Sequence, residues 1–367
     1  MARFWNSEAI RSIVCGQRAS NVGFPVCALL AAVIMLAANG PVRAQNAQES
    51  GLGPEVDTFI AKMAREHEFD ALELRKMFAS FEPNQTIIKA IGAPATSKPW
   101  SYFRKLYVTP SRVDGGVEFW NEHASWLEKA HAKYGVPEEI ITSIIGVETI
   151  YGRYTGKFRV ADALYTLGFE VPRRSRFFQG QFEHFLLLTR ENEVDPSAVK
   201  GSFAGAMGIP QFMPSSYRQY AVDFDGDGRV DLWNSVADAI GSVANYLSRF
   251  GWEQGEQIAL PAIVTAEEPE TLKRLGVKPS LTLAEWRSRG VEADGQARSH
   301  VDAGFFSLEG EEGPQYWVSF YNFYVITRYN RSNNYAMAVY QLAQEIAGKR
   351  KLQQAALATG GEGQMQD

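Results

Sequence analysis

The sequence predicts a mainly α-helical α+β protein with a helical N-terminal lobe, a larger helical core and a small β-containing insertion. Three observations lead there. Apolar residues recur at helical spacing along most of the stretch from Pro54 to Phe250, the signature of helices that bury one face. After Gln257 the pattern changes to short runs at 258–264, 304–308 and 316–320, which read as strands with charged helical pieces between them. Helical spacing resumes at Tyr335, with Met337, Val339, Tyr340, Leu342 and Ile346. The expected organisation is therefore a leader over 1–44, a helical lobe over 45–135, a core over 136–255, an α/β insertion over 256–315, a return to the core over 316–350 and a flexible tail over 351–367.

The leader sets the compartment. Residues 1–21 hold Arg3, Arg11 and Arg18 against one acid, Glu8, and 22–38 run almost without polar groups. This is a signal-peptide profile, with small residues near Val42-Arg43-Ala44 that suit cleavage after Ala44, and the apolar run is short for a membrane span. A periplasmic protein without a membrane tether is expected. Cys15 and Cys27 both fall in this segment, so the mature chain has no disulfide, and neither lies in a lipobox-like sequence. Without residues 1–44 the chain keeps 33 basic and 41 acidic residues, a net charge of −8, which argues against nucleic acid as a partner. With 45% hydrophobic residues the chain has ample material for a large core.

Within the helical lobe, Val56, Phe59, Ile60 and Met63 mark a first helix after Pro54, and Leu74, Met77, Phe78 and Phe81 a second after Asp70. Residues 82–108, rich in Pro and aromatics, read as an extended segment wrapped on the surface. Thr109 before Pro110 is a good N-cap, and Val113, Val117, Trp120, Ala124 and Leu127 keep one face apolar for about four turns.

The next helix, over 137–152, is the informative one. Ile141, Ile144 and Ile145 precede Glu148 by seven, four and three residues, so all four side chains share one helical face. A carboxylate on that stripe would be desolvated, which raises its pKa and leaves a proton to donate near neutral pH. From this helix alone the plainer reading, a Glu at a fraying end that reaches water, is favoured.

Farther on, Arg173, Arg174 and Arg176 crowd ahead of a helix expected over 177–189. They form either a solvated face or a clamp for a substrate carboxylate. In 200–217, Gly201, Gly205 and Gly208 leave the backbone open to a ligand, with Ser202 and Gln211 as hydrogen-bonding groups; Gly-rich turns are more often just turns. Asp223, Asp225, Asp227 and Asp231 alternate around a glycine turn, the arrangement a hard cation wrapped by oxygen requires, so calcium is preferred to a plain acidic turn. Arg229 would offer its carbonyl. The twelfth position of the loop is Asn234, and Asp238 is the better closing carboxylate, although Ser235-x-x-Asp238 also fits a helix capping box. Tyr321, Asn322, Tyr324, Tyr329, Asn330 and Tyr335 form an aromatic and amide cluster at an expected loop-to-helix junction, either core or a wall for a sugar ring.

Taken in order, Gly146-Val-Glu-Thr-Ile-Tyr-Gly152, Gly205-Ala-Met-Gly-Ile-Pro-Gln-Phe-Met-Pro-Ser-Ser216, the calcium-type loop and Arg328-Tyr-Asn330 resemble the lytic murein transglycosylases of the B type. The resemblance covers nearly all of the mature chain. It implies a lysozyme-like core and action on peptidoglycan glycan strands, by a monomer and alongside other wall-remodelling proteins. It further implies Glu148 as the single catalytic acid and base, and a saccharide groove lined by Arg173, Arg174, Ser202, Gln211, Tyr246, Tyr329, Asn330 and Tyr335. Calcium would be held by Asp223, Asp225, Asp227, Arg229 and Asp238. One extra residue between the loop and Asp238 departs from the family pattern, as does the lack of a lipid-anchoring Cys. Two rivals remain: a hydrolytic muramidase using Asp162, Glu170 or Asp195 as second carboxylate, and a non-catalytic wall-binding protein. A zinc peptidase is disfavoured, since His67, His123, His131, His184 and His300 lack metal-ligand spacing.

Overall fold

A computed structural model describes residues 51–92 and 98–362, so the expected leader lies outside the described residues. The first two helices form where the apolar spacing places them. Helix α1 (Pro54–His67) starts on its proline and buries Val56, Phe59, Ile60 and Met63. Helix α2 (Ala71–Ala79) is capped by Asp70, whose side chain accepts from the Leu72 and Glu73 amides, and buries Leu74 and Phe78.

The segment read as an extended wrap is instead helical. It forms α3 (Gln85–Gly92) and α4 (Trp100–Tyr107), with Ile87, Trp100 and Phe103 buried. Trp100, Phe103 and Tyr107 stand at helical spacing, and burial of that face outweighs the Pro-rich composition around it. The single four-turn helix expected next is two. Thr109 caps α5 (Pro110–Glu122), and His123, at φ −112° and ψ 24°, ends it and begins α6 (Ala124–Tyr134).

Helix α7 (Glu138–Thr149) is buried on almost every side. Besides the expected isoleucine stripe it buries Thr142 and Ser143, and Ser143 donates to the Val339 carbonyl at 2.6 Å. Strand β1 (Phe158–Arg159) leads into α8 (Val160–Phe169), a 3-10 turn at Pro172–Arg174, α9 (Ser175–Glu191) and strand β2 (Lys200–Gly201), which pairs antiparallel with β1. Phe59, Phe78, Phe81, Tyr165, Phe169 and Phe182 interlock, joining α1 and α2 to α8 and α9. Helices α10 (Pro214–Tyr220) and α11 (Val236–Arg249) complete this part.

The three expected strands form as β3 (Ala259–Val264), β6 (Asp302–Glu309) and β7 (Pro314–Ser319), and between β3 and β6 lie α12 (Pro269–Leu272), α13 (Leu283–Ser288) and two short strands that were not expected, β4 (Leu281–Thr282) and β5 (Val291–Ala293). Together the strands form an antiparallel sheet in the order β4-β6-β7-β3-β5. Its strands feed two cores. Phe305, with Leu283, Trp286, Val291 and Val318, closes a small separate core, whereas Phe306 stacks on Phe323 of the main one at 4.6 Å. The sheet runs past residue 315 to the end of β7.

Helix α14 (Tyr321–Tyr329) occupies what was expected to be the approach to a helix, and α15 (Asn333–Glu362) begins just before Tyr335. Helix α15 also takes in most of the segment read as a flexible tail. Its Lys349 pairs with Asp114, and its Arg350 donates to Asn121 and covers the Trp120 ring; these contacts hold it along α5. Among the described residues, no helix is long and apolar enough to cross a membrane.

If α4 is a core helix, Trp100→Ala should lower unfolding stability by about 3–5 kcal/mol in chemical denaturation. A surface wrap would lose almost nothing.

Candidate active site

Glu148 lies one residue from the end of α7, and the chain turns sharply after it. Ile150 (φ 52°), Tyr151 (φ 60°) and Gly152 (φ 84°) are all left-handed. A β-branched residue there is unusual and costs of the order of 1–3 kcal/mol, so the surroundings must impose it. Part of the imposition comes from Thr149, whose hydroxyl donates to the Ile209 carbonyl at 2.8 Å and accepts from the Gly152 amide at 3.0 Å.

The helix end is therefore fixed, not frayed. Glu148 keeps partial exposure, yet protein atoms crowd its carboxyl enough for burial to be the largest influence on its titration. Burial pushes its pKa up to about 7, and the Tyr335 hydroxyl, donating to Oε1 at 2.6 Å, opposes the rise. Tyr335 is itself buried, and its phenol is held well above the ordinary range, first by burial and then by the Glu148 charge. It remains a neutral donor. The arrangement gives one carboxyl that can both release and recover a proton near neutral pH.

The remaining expected residues divide by position. Tyr329 lies parallel to Tyr335 with ring centres 6.4 Å apart, and its hydroxyl donates to the Pro210 carbonyl at 2.6 Å. Tyr246 is buried behind it, ring to ring at 4.9 Å, with its hydroxyl on the Arg328 carbonyl; it braces Tyr329 from within the core. Gln211, at φ 51°, donates its amide nitrogen to the carbonyls of Thr155 and Gly208, both at 2.9 Å. Ser202 accepts from the Ala204 and Ala206 amides and closes the turn that precedes Gly208. Gly208 is required there: a Cβ would fall 2.4 Å from the Leu232 carbonyl oxygen. Asn330 ends α14 in extended backbone. Arg173 and Arg174 are exposed on the 3-10 turn, and Arg174 lies over Phe177 and Phe178.

Tyr107 was missed in the sequence. Its phenol is raised first by burial and then by the Glu148 charge, so it belongs to the electrostatic surroundings of that carboxyl. The helical spacing of Trp100, Phe103 and Tyr107 was the available signal.

In the acidic loop, carboxylate oxygens of Asp223, Asp225 and Asp227 lie within 4.8 Å of one another. Burial acts to raise the Asp223 carboxyl, but amides of Gly226, Gly228 and Asp227 outweigh it and hold the group below its ordinary value. All the donors are hard oxygens, which suits calcium. Asp238 does not join this cluster. Its two oxygens accept from the Phe224 and Asp231 amides, while its own amide donates to Ser235, the N-cap of α11. Asp238 thus ties the two ends of the loop together. Asn234 is turned to Asp231, to which its side chain donates. A second close group, Glu66, His67 and Glu183, is an ion-pair network in which Lys62 bridges both acids.

Residues 52–344 match the model of the transglycosylase SLT domain family. The chain is 45% identical over 304 residues to membrane-bound lytic murein transglycosylase B of Escherichia coli K12, covering 80% of this chain and 83% of that protein. Catenated lytic transglycosylase SltB1 of Pseudomonas aeruginosa superposes with a TM-score of 0.76 at 48% identity, covering 81% of this chain and 98% of that one. Escherichia coli Slt35 in complex with calcium gives 0.74 at 44% identity, covering 81% and 94%. Pseudomonas aeruginosa SltB3 in complex with NAG-anhNAM-pentapeptide gives 0.66 at 33% identity, covering 80% and 78%.

Because the Tyr335 hydroxyl stabilises the Glu148 anion, Tyr335→Phe should raise the Glu148 pKa above 7 in a carbon-13 NMR titration of the labelled carboxyl. A fall, or no change, would contradict the hydrogen bond's role.

Proposed function

As the chain belongs to the transglycosylase SLT domain family, we propose that Glu148 alone carries its acid and base chemistry. The protein is a lytic transglycosylase. It cleaves the β-1,4 bond between N-acetylmuramic acid and N-acetylglucosamine in peptidoglycan without water, leaving 1,6-anhydromuramyl ends.

One observation carries the single-carboxyl reading. Among the described residues the side-chain hydrogen bond to the Glu148 carboxyl comes from the Tyr335 hydroxyl and not from a second acid, and burial, opposed by that bond, raises its pKa. A glycosidase partner about 5–9 Å away would be expected to repel the Glu148 charge. Of the acids proposed for a hydrolytic muramidase, Asp162 accepts from Arg159 through one oxygen, Asp195 accepts from Ser197, and Glu170 acts on the Tyr165 phenol, which it raises.

The steps follow from that carboxyl. Neutral Glu148 gives its proton to the glycosidic oxygen as the bond to muramyl C1 breaks. The muramyl N-acetyl oxygen relieves the developing positive charge. The Glu148 carboxylate, held by Tyr335, then takes the O6 hydroxyl proton as O6 closes on C1, and the acid is restored. Tyr329, Asn330 and Tyr335 with Ser202 and Gln211 would form the saccharide wall, Tyr246 would brace it, and Arg173 and Arg174 would meet anionic substituents. Export to the periplasm and action as a monomer on glycan strands fit the leader and the substrate.

We assign calcium to Asp223, Asp225 and Asp227 with the Arg229 carbonyl, in a stabilising role. The proximity of three carboxylates supports it, because such a cluster repels itself without a cation.

Glu148→Gln should keep its fold yet lose turnover by roughly 10²–10⁴-fold. Mass spectrometry of wild-type digests should give muropeptides one water lighter than reducing-end products; reducing ends would mean hydrolysis instead. Since the first step needs Glu148 protonated, activity should fall as pH rises through about 7. Chelation should lower the melting temperature, with a loss of about 3 kcal/mol where free calcium had stood about a hundredfold above its Kd. An unchanged melting temperature would refute the metal site.

A further inference from the structure

The strained turn after Glu148 is gripped from one side by a device that the chemistry above does not use. The Tyr151 ring lies in a slot between α5 and α7 that only glycines leave open. A Cβ on Gly146 would come within 2.6 Å of the ring, one on Gly115 within 3.0 Å, and one on Gly116 within 2.7 Å of the hydroxyl. That hydroxyl donates to the Arg112 carbonyl at 2.5 Å. The Arg112 side chain runs the other way: Nη1 donates to the Gly146 carbonyl at 2.5 Å and reaches the Val147 carbonyl at 3.5 Å. These are the two peptide groups immediately before Glu148.

The same guanidinium lies over the Tyr107 ring, 5.2 Å from its centre, and Tyr107 is one of the phenols that feel the Glu148 charge. Arg112 is anchored at its own backbone as well, its amide donating to the Thr109 cap at 3.3 Å. It is partly buried, and among the described residues it has no carboxylate within ion-pair distance. A half-buried cation compensated only by carbonyls and a ring face is a poor choice for stability alone, since an apolar side chain of similar volume would avoid the desolvation cost. A single Nη1 set against two successive carbonyls, with the guanidinium plane fixed over a ring, is suited to setting a direction.

We propose that Arg112, locked by Tyr151, is a positioning residue for Glu148: it fixes the last turn of α7 through the Gly146 and Val147 carbonyls. The inference rests on Glu148 being the reacting group. Arg112 acts through the helix end. It aims the acid, and at a glycosidic oxygen a displacement of about 1 Å is enough to cost about 100-fold in rate.

The test compares wild type, Arg112→Ala, Arg112→Lys, Tyr151→Phe and Glu148→Gln on soluble peptidoglycan strands, reading kcat, KM, the pH profile and the melting temperature. For Arg112→Ala, kcat should fall about 100-fold with KM unchanged and the limb near pH 7 unmoved, and millimolar methylguanidinium should restore part of the rate. Arg112→Lys and Tyr151→Phe should show the same signature at smaller amplitude, and they decide the matter if the alanine variant does not fold. A rise in KM with kcat intact, a displaced pH limb, or activity lost only in step with the folded fraction would overturn the proposal. Turnover by Glu148→Gln would instead overturn the reading of Glu148, whatever the Arg112 variants do.

Discussion

A carboxyl group held out of water dominates this structure. At pH 7 an ordinary glutamate is fully charged, whereas Glu148 is balanced between its two forms because burial has lifted its pKa to about 7. The protein bears a cost for this. Its folded-state pKa lies above the unfolded value of 4.5, so the neutral carboxyl costs nothing below that value, and stability is lost as pH rises from 4.5 to about 7. Above that point the penalty is of the order of 3 kcal/mol. The rest of the core has to outweigh it, and the extensive burial of α7 is how it does so.

The surroundings of the carboxyl come from distant parts of the chain. Tyr335 arrives from α15, across 187 residues of sequence. Tyr107 comes from α4, and the Ile209 carbonyl that fixes Thr149 comes from the glycine-rich loop. Such a site must be rigid, because no local sequence preference holds it. The positive φ angles at Ile150 and Tyr151 are the visible strain of forcing a helix to end where the chemistry requires it.

The acidic loop belongs to the same scaffold. Asp238 ties Phe224 to Asp231, the Ile209 amide donates to the Leu232 carbonyl at 2.8 Å, and the Ile209 carbonyl accepts from Thr149. A short series of contacts therefore leads from the loop to the residue after Glu148. A bound cation would tighten one end of a frame whose other end carries the acid.

By itself the sequence determined what short-range periodicity can encode. It encoded α1, α2, α7, the three longest strands and the clustering of Asp223, Asp225 and Asp227, and it put Glu148 on an apolar stripe without deciding whether that carboxyl reaches water. It misled at Trp100, where proline-rich composition hid a helical face, and at 351–362, where small residues in an amphipathic-poor stretch looked like a tail. It also could not tell that Asp238 spends both oxygens on amides, that Tyr246 lies behind Tyr329, or that Arg112 grips the end of α7. Those are tertiary facts. A residue's spacing from its neighbours is written in the chain, but which carbonyl or carboxylate its side chain meets depends on segments a hundred or more residues away, and only the packed fold brings them within hydrogen-bonding distance.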